Sequence, residues 1–157
     1  PACCDHEGEG DNKHVDFGLA KLALCLTEAN KLFALSMSGQ GKVAWSSLII
    51  GQNEHPQYTS TFGPPKLFVT RSAAALGWGP EVMVLRPNPK GKFTEVVRFD
   101  ATTGVELERT KVSGSRADSV VPLRGMVDSA HRTPLLLVDQ GEGGDAVGTS
   151  TLVPDTP

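Results

Sequence analysis

Short runs of apolar residues separated by turn-forming residues recur along this chain of 157 residues. The first third holds three such runs, at 19–26, 31–37 and 42–50, and only a few residues separate one from the next. Asn30 and Gly41 stand in the intervening turns. Because a helix needs longer uninterrupted segments, this spacing predicts β-strands that follow one another as a meander.

The same spacing continues through the rest of the chain. Six further runs with strand character occupy residues 66–71, 81–86, 93–99, 105–112, 120–127 and 134–139. We expect the strand at 81–86 to end at Pro87, because proline has no N–H group to donate to a sheet ladder. The apolar run at 134–139 is expected to be buried on both faces. About nine short strands and no convincing helix predict an all-β fold.

The two ends of the chain differ from this pattern. Residues 1–15 are polar and charged, so we expect a flexible N-terminal segment there. Residues 141–157 begin with a glycine-rich acidic stretch and contain prolines, which predicts a flexible tail. The strands between these ends predict one folded region over residues 16–140.

Two segments, 32–45 and 97–108, share one plan: a strand, a small polar turn with a late glycine, and a second strand. The late glycine, Gly41 in one copy and Gly104 in the other, adopts positive φ without steric cost. The Asp100 carboxylate is placed to accept hydrogen bonds from turn amides. Repeated hairpins build propeller blades, so the repeat predicts a partial β-propeller of about two blades of antiparallel meander sheets.

Composition and charge argue against several classes of protein. The chain is 39% hydrophobic and 21% charged, as soluble globular proteins are, and its net charge of −3 offers no basic surplus for nucleic acid or anionic lipid. No apolar run approaches the roughly 20 residues that a spanning helix needs, so we expect no membrane span in this segment. The N-terminus lacks the features of a signal peptide and an initiating Met, which predicts a piece of a longer or processed protein.

Candidate metal ligands occur in two places, and neither group has the spacing of a metal site. The N-terminal group comprises Cys3, Cys4, His6 and His14. A zinc site needs spaced cysteine pairs, whereas adjacent cysteines point apart in an extended chain. The C-terminal group comprises Asp139, Glu142 and Asp145. It lacks the ligand order of an EF-hand, so we expect a solvated acidic loop and no metal.

No catalytic constellation emerges from the remaining candidates. His55 and His131 lie in polar loops without an evident orienting partner. Cys25 lies in an apolar run and is expected to be an inert core thiol, and a total of three cysteines leaves at least one unpaired. Glu106 and Glu108 are expected on the same exposed face of one strand. We therefore expect no catalytic residue and no cofactor.

The two tryptophans have different sequence environments. Trp45 lies at the end of a repeat, and burying its indole covers roughly 200 Å² and requires one acceptor for the N–H group. Trp78 lies in a Gly-Trp-Gly loop and is a candidate contact with a partner protein, because tryptophan often anchors protein interfaces. The predicted structural residues are Trp45, Gly41, Gly104 and Asp100.

Several of these segments also resemble a known family. Residues 16–27 (DFGLAKLALCLT), 31–35 (KLFAL) and 41–45 (GKVAW) are similar to the lumenal propeller of subunit 1 of the endoplasmic reticulum (ER) membrane protein complex. Later segments, beginning with residues 66–71, follow in the order that the family has. The resemblance covers roughly residues 16–140.

The resemblance implies quinoprotein-like blades, in which a tryptophan such as Trp45 packs between neighbouring blades. It implies a non-enzymatic scaffold on the lumenal side of the ER, within a membrane-anchored parent protein, that supports membrane protein insertion and folding through protein–protein contacts. The implied partners are the other subunits of the complex and, indirectly, client membrane proteins. Two alternatives stay open: a quinoprotein-like propeller enzyme and an independent β-sandwich binding module.

Three features depart from the pattern of that family. Asn30 stands where glycine is usual, although both residues tolerate the left-handed backbone conformation. The turn at 36–41 is one residue longer than usual. The acidic, glycine-rich tail from Gln140 has no counterpart.

Overall fold

The structure, a computed structural model, describes residues 21–38, 41–49, 63–72, 77–88, 90–139 and 148–154. These residues form ten β-strands and no helix. The strands are β1 (Leu22–Leu26), β2 (Lys31–Ser36), β3 (Lys42–Leu48), β4 (Lys66–Arg71), β5 (Glu81–Asn88), β6 (Phe93–Asp100), β7 (Glu106–Ser113), β8 (Ser119–Pro122), β9 (Leu135–Asp139) and β10 (Thr149–Val153). The predicted all-β class is confirmed.

Three antiparallel sheets contain these strands, and neighbours in a sheet are neighbours in sequence. The first sheet has the order β1-β2-β3, the central sheet β4-β5-β6-β7, and the third sheet β8-β9-β10. Each sheet is therefore a meander, and the antiparallel meander architecture of a partial propeller is confirmed. The sequence predicts about two such sheets, whereas the described residues form one four-stranded and two three-stranded sheets.

The central sheet is covered on both faces, because the first and third sheets pack against its opposite sides. Val82 and Val84 of β5 belong to the core shared with the first sheet. Met83 and Leu85 of the same strand belong to the core shared with the third sheet. Successive side chains of a strand point to opposite faces, so a strand between two sheets has both of its faces buried. All eight residues of β5 are buried as a result.

This arrangement stabilises each sheet through its neighbours. Burying one aliphatic side chain contributes about 1.5–3 kcal/mol, and the two faces of β5 together bury four large ones. The prediction that the run at 134–139 is buried on both faces is wrong, because β9 alternates between buried and half-buried residues. Only one face of β9 packs on the central sheet.

The prediction that the strand at 81–86 ends at Pro87 is also wrong. Strand β5 continues to Asn88, and Pro87 lies opposite Thr94 of β6. The carbonyl of Pro87 accepts a hydrogen bond from Gly63 N at 2.7 Å, on the side away from β6. In an antiparallel ladder the N–H and C=O groups of one residue point to the same side, so the missing N–H costs no bond to β6.

Two further boundaries differ from the sequence prediction. The run at 120–127 is a strand only as far as Pro122, because the backbone turns after it and Met126 N donates to Leu123 O at 3.1 Å. The flexible tail predicted for 141–157 is wrong for residues 149–153, which form β10 and pair with β9. Val153 is buried in the core of the third sheet, and this contact fixes the strand. Residues 1–15 lie outside the described part of the chain.

The two repeat segments form the hairpins β2–β3 and β6–β7, and the hairpins share an irregularity. Each has a β-bulge close to the turn, between Ala34 and Leu35 in the first sheet and between Arg98 and Phe99 in the central sheet. A bulge adds one unpaired residue to one strand and shifts the side chains beyond it. The repeat seen in the sequence is therefore a structural repeat.

Candidate functional site

Trp45 of the first sheet contacts the turn between β6 and β7 of the central sheet. Its indole Nε1 donates a hydrogen bond to the Ala101 carbonyl at 3.1 Å. A Cβ atom at Gly104 would lie 2.5 Å from the indole ring, which is closer than side chains approach one another. The half-buried tryptophan therefore fits against this turn only because residue 104 has no side chain.

The turn that receives Trp45 is built by Asp100 and Gly104. The Asp100 carboxylate accepts hydrogen bonds from Thr102 N at 2.8 Å and Thr103 N at 2.9 Å. Gly104 N donates to the Asp100 carbonyl at 2.8 Å, and Gly104 has a φ of +73°. Residues with a Cβ rarely adopt this φ. Residue 104 is therefore glycine for two reasons: the backbone conformation of the turn and the space that the indole takes.

Gly41 lies in the equivalent turn of the first sheet, away from Trp45 and Gly104. It has a φ of +78°, and its N–H donates to Ser36 O at 2.9 Å. Among the described residues, its chain neighbours aside, no atom lies within 4 Å of the position that a Cβ would take. The structure thus brings three of the four predicted structural residues together, while Gly41 shapes only its own turn.

A chain of charged groups on the central sheet faces the first sheet and contacts it at Asn30. Arg86 is fully buried; it pairs with the Glu95 carboxylate, and its Nε donates to Asn30 Oδ1 of the first sheet at 3.2 Å. Arg109 Nη1 lies 3.1 Å from the other Glu95 oxygen. Asn30 has the left-handed φ of +57° at the start of β2. The sheets are therefore joined by polar as well as apolar contacts.

The outer end of this chain is the ion pair between Arg109 and Glu106. Two parallel hydrogen bonds of 2.9 and 2.7 Å join the guanidinium to the carboxylate. These bonds lower the pKa of Glu106 and raise the pKa of Arg109. Both side chains are partly exposed, so the pair adds little stability by itself.

A second cluster of charges lies at the interface between the central and third sheets. The buried Glu81 carboxylate faces three arginines, at 3.4 Å from Arg71, 3.7 Å from Arg98 and 3.9 Å from Arg132. Arg132 also binds the Asp128 carboxylate at 2.6 Å. Burial raises the pKa of the Glu81 carboxyl, although the Arg98 and Arg71 charges act in the opposite direction.

Trp78 lies beside this cluster and remains half exposed, with 50% of its surface accessible. The Arg71 guanidinium lies 5.3 Å from its ring centroid, within the range of a cation–π interaction. Arg71 also donates to Ala130 O at 2.9 Å, in the loop between β8 and β9. That loop carries the exposed side chains of Met126 and Val127. A buried arginine thus holds the tryptophan while one part of the ring faces solvent.

The expectation that Cys25 is a core thiol is wrong, because Cys25 is exposed. Leu24 and Leu26 pack toward the central sheet, so alternation points the residue between them away from it. The expectation that Glu106 and Glu108 share a face is also wrong. The bulge places Glu106 opposite Phe99 and Glu108 opposite Arg98, which face different sheets.

The remaining candidates give no convergent site among the residues that the structure describes. Asp139 accepts a hydrogen bond from Arg116 N at 2.6 Å, and His131 N donates to Asp128 O in a tight turn. No group of three potential metal ligands occurs in this part of the chain. Seven other candidates lie outside the described residues: Cys3, Cys4, His6, His14, His55, Glu142 and Asp145.

The buried arginines are the functional residues that sequence reasoning missed. Arg86 follows the apolar residues of β5 and lies on the same face as Val82 and Val84. The alternation of that strand indicates a buried position for residue 86, and this signal was present in the sequence. The partners of Arg86 could not be predicted, because Asn30 precedes β2 and Glu95 lies in β6, and the turns set the register of these strands.

No helix in the described ranges has the length and apolarity to cross a membrane. Comparison with curated proteins gives no match. A family description, ER membrane protein complex subunit 1, second β-propeller, matches residues 18–156. This range includes β10, which corrects the expectation that the segment after Gln140 has no counterpart in the family. With its stacked meander sheets and a match over nearly its whole length, the chain belongs to the family of the second β-propeller of ER membrane protein complex subunit 1.

Proposed function

We propose that this chain is a non-enzymatic scaffold segment on the lumenal side of the ER membrane protein complex. It supports the insertion and folding of client membrane proteins by holding other subunits of the complex through protein–protein contacts. The observation that carries this proposal is the central sheet, which is buried on both faces. Its side chains are engaged in joining three sheets, which is what a rigid support for other proteins requires.

The charged groups of the interior fit the same role. Glu95 is neutralised by two arginines, and Glu81 lies among three. Carboxylates held in this way fix the relative position of strands and sheets, because breaking a buried pair leaves an uncompensated charge. A general acid or base instead needs a carboxylate that a reactant can reach.

Trp78 is the residue that we expect to contact another subunit. Its ring is half exposed and its position is fixed by Arg71, so binding a partner costs little side-chain entropy. Tryptophan and arginine are the residue types most enriched among the anchors of protein interfaces. The loop between β8 and β9, which Arg71 contacts at Ala130, carries two further exposed apolar side chains, Met126 and Val127.

Replacing Trp78 in the full-length subunit tests this proposal. We expect Trp78→Ala to leave the amount of the folded subunit unchanged and to lower the recovery of at least one other subunit on affinity purification. Leu107→Ala is the matched control, because Leu107 is similarly exposed but lies on β7. If the Trp78→Ala subunit recovers the other subunits as well as the wild-type and Leu107→Ala subunits do, the contact assigned to Trp78 is wrong.

A further inference from the structure

The connections between strands lie alternately at the two ends of the stacked sheets, because every sheet is an antiparallel meander. Four of them, from β2 to β3, β4 to β5, β6 to β7 and β8 to β9, lie at one end, which we call the Trp78 end. Two contacts between sheets show that they share an end. Trp45, near the start of β3, donates to Ala101 O in the β6–β7 turn at 3.1 Å. Arg71, at the end of β4, donates to Ala130 O in the β8–β9 connection at 2.9 Å.

The connections from β1 to β2, β5 to β6 and β7 to β8 lie at the opposite end. Arg86, near the end of β5, donates to Asn30 Oδ1 in the β1–β2 turn at 3.2 Å. Thr94, near the start of β6, donates to Ser115 O in the β7–β8 connection at 3.0 Å. The residue types at the two ends can therefore be compared.

Over the described part of the chain, the connections carry their exposed apolar side chains at the Trp78 end. Five large apolar side chains there are between 50% and 63% exposed: Met37, Trp78, Val105, Met126 and Val127. The described connections at the opposite end contain no exposed large apolar side chain. Apolar residues scattered singly over a surface are ordinary, whereas their concentration in one region marks an interaction site.

Charged side chains are distributed in the opposite way. The described connections at the opposite end include exposed charges such as Glu28 and Lys90, whereas those at the Trp78 end contain neither lysine nor glutamate. Asp128 at the Trp78 end is engaged by the Arg132 side chain and by turn amides. Among the described connections of that end, Arg124 is the exposed residue that carries a charge without an ion pair.

Parts of the Trp78 end are held in place within the chain itself. The Arg71 guanidinium lies 5.3 Å from the Trp78 ring centroid and also binds Ala130 O in the β8–β9 connection. Within that connection, the Asp128 carboxylate accepts hydrogen bonds from Ala130 N at 2.9 Å and Arg132 N at 2.8 Å. A surface whose loops are already ordered loses less conformational entropy when a partner binds.

We propose that the Trp78 end is the surface on which another subunit of the complex docks, and that this subunit presents apolar side chains around a carboxylate that pairs with Arg124. The proposal rests on the scaffold function given above and extends the contact at Trp78 to a whole surface. Interface cores are rich in tryptophan, methionine and arginine and poor in lysine and glutamate, as this end is. Its described connections comprise about 25 residues, and a standard interface uses roughly 20–30 on each side.

The charge of this end favours a protein partner over a lipid surface. Segments that bind anionic lipid carry clusters of about four to eight lysines and arginines. The described connections of the Trp78 end offer one exposed cation, Arg124, among apolar side chains. A single carboxylate complements that arrangement, because a cation that loses its hydration on docking needs a counter-ion.

Site-specific photo-cross-linking in the full-length subunit tests the proposal. Benzoylphenylalanine replaces Val105 or Val127 at the Trp78 end, and it replaces Ala29 or Lys90, which are also exposed, at the opposite end as a control. After irradiation of the purified complex, we expect both valine positions to cross-link to another subunit that mass spectrometry identifies. Both control positions should give no more product than the unirradiated complex. Equal cross-linking from the two ends, or none from the valine positions, would overturn the proposal.

A charge reversal supplies a second readout that does not depend on the cross-linker. Arg124→Glu should lower the recovery of the cross-linked subunit about tenfold, because two carboxylates then face each other. Arg124→Lys keeps the charge and should retain most of the recovery. Lys90→Glu makes the same reversal at the opposite end and should leave recovery unchanged, and limited proteolysis shows that each variant is folded. Equal recovery with Arg124→Glu and Lys90→Glu would contradict the pairing of Arg124 with a carboxylate.

Other occupants of the Trp78 end would give different products. Cross-links to lipid, to a second copy of this chain or to another part of the same chain would each contradict a partner subunit at this surface. The present proposal and the contact assigned to Trp78 can fail separately. If Trp78→Ala lowers subunit recovery while neither valine position cross-links, the contact is confined to Trp78. If both valine positions cross-link while Trp78→Ala leaves recovery unchanged, the surface stands without Trp78 as its anchor.

Discussion

Replacing the two late glycines with alanine separates the cost of backbone strain from the cost of losing the contact with Trp45. Gly41 and Gly104 have nearly equal φ values of +78° and +73°. An added Cβ meets no atom at Gly41 but lies 2.5 Å from the Trp45 ring at Gly104. Both variants therefore carry the strain of a left-handed alanine, and only Gly104→Ala also displaces the indole.

The magnitudes follow from these two contributions. A left-handed residue with a Cβ costs about 1–2 kcal/mol, which is the whole expected loss for Gly41→Ala. Forcing a methyl group into a packed contact costs a further 1–3 kcal/mol or so, and the Trp45–Ala101 hydrogen bond is worth about 1 kcal/mol. We therefore expect Gly104→Ala to lower the free energy of unfolding by about 3–6 kcal/mol.

Urea unfolding followed by circular dichroism measures both variants, and a double-mutant cycle isolates the contact. In a Trp45→Ala background the methyl group has no ring to displace, so the cost of Gly104→Ala should fall to that of Gly41→Ala. The coupling free energy between residues 45 and 104 is thus expected to be about 2–4 kcal/mol. Equal losses for the two glycine variants, or a coupling near zero, would refute the packing of Trp45 on this turn.

Four other predictions follow from the same structure. Arg86→Met should lower the free energy of unfolding by about 3–5 kcal/mol, because it leaves Glu95 buried with less compensation, and the Arg86→Met/Glu95→Gln pair should recover part of that loss in urea. The pKa of Glu106 is lowered, so its contribution to stability is present at pH values above the ordinary pKa of a glutamate and is lost as the pH falls. The difference in urea midpoint between wild type and Glu106→Gln should therefore shrink from pH 7 to pH 4. The pKa of Glu81 is raised, so its contribution is present at low pH and declines as the pH rises, and the difference between wild type and Glu81→Gln should change in the opposite direction over that range. Pyrroloquinoline quinone with calcium should produce neither a new absorbance band nor turnover, and either one would favour the alternative of a quinoprotein-like enzyme.

The fold class could be predicted because it depends on local signals. Short apolar runs and glycine turns at 41 and 104 identify the hairpins, and hairpins joined in series form meander sheets. The end of β5 could not be predicted in the same way. Whether a proline ends a strand depends on which side its missing N–H faces, and that side is known only once Gly63 is seen to pair with Pro87.

Other errors arise because alternation alone shows neither where a bulge breaks the register nor which face of a strand is buried. The bulge in β7 turns Glu106 and Glu108 to opposite faces, and no residue type in that strand predicts a bulge. The exposure of Cys25 follows from which face of β1 meets the central sheet, a choice made by packing.

The measurement that tests the central claim most directly is the composition of the complex purified with a full-length subunit in which the stacking of the sheets is broken. Trp45→Ala combined with Arg86→Met removes two hydrogen bonds between the first and central sheets, the one from Trp45 to Ala101 and the one from Arg86 to Asn30. Limited proteolysis of the purified subunit reports whether this segment has loosened. The scaffold account predicts that a loosened segment is accompanied by loss of other subunits and by lower amounts of client membrane proteins. A complex of unchanged composition and client level around a proteolytically sensitive segment would contradict it.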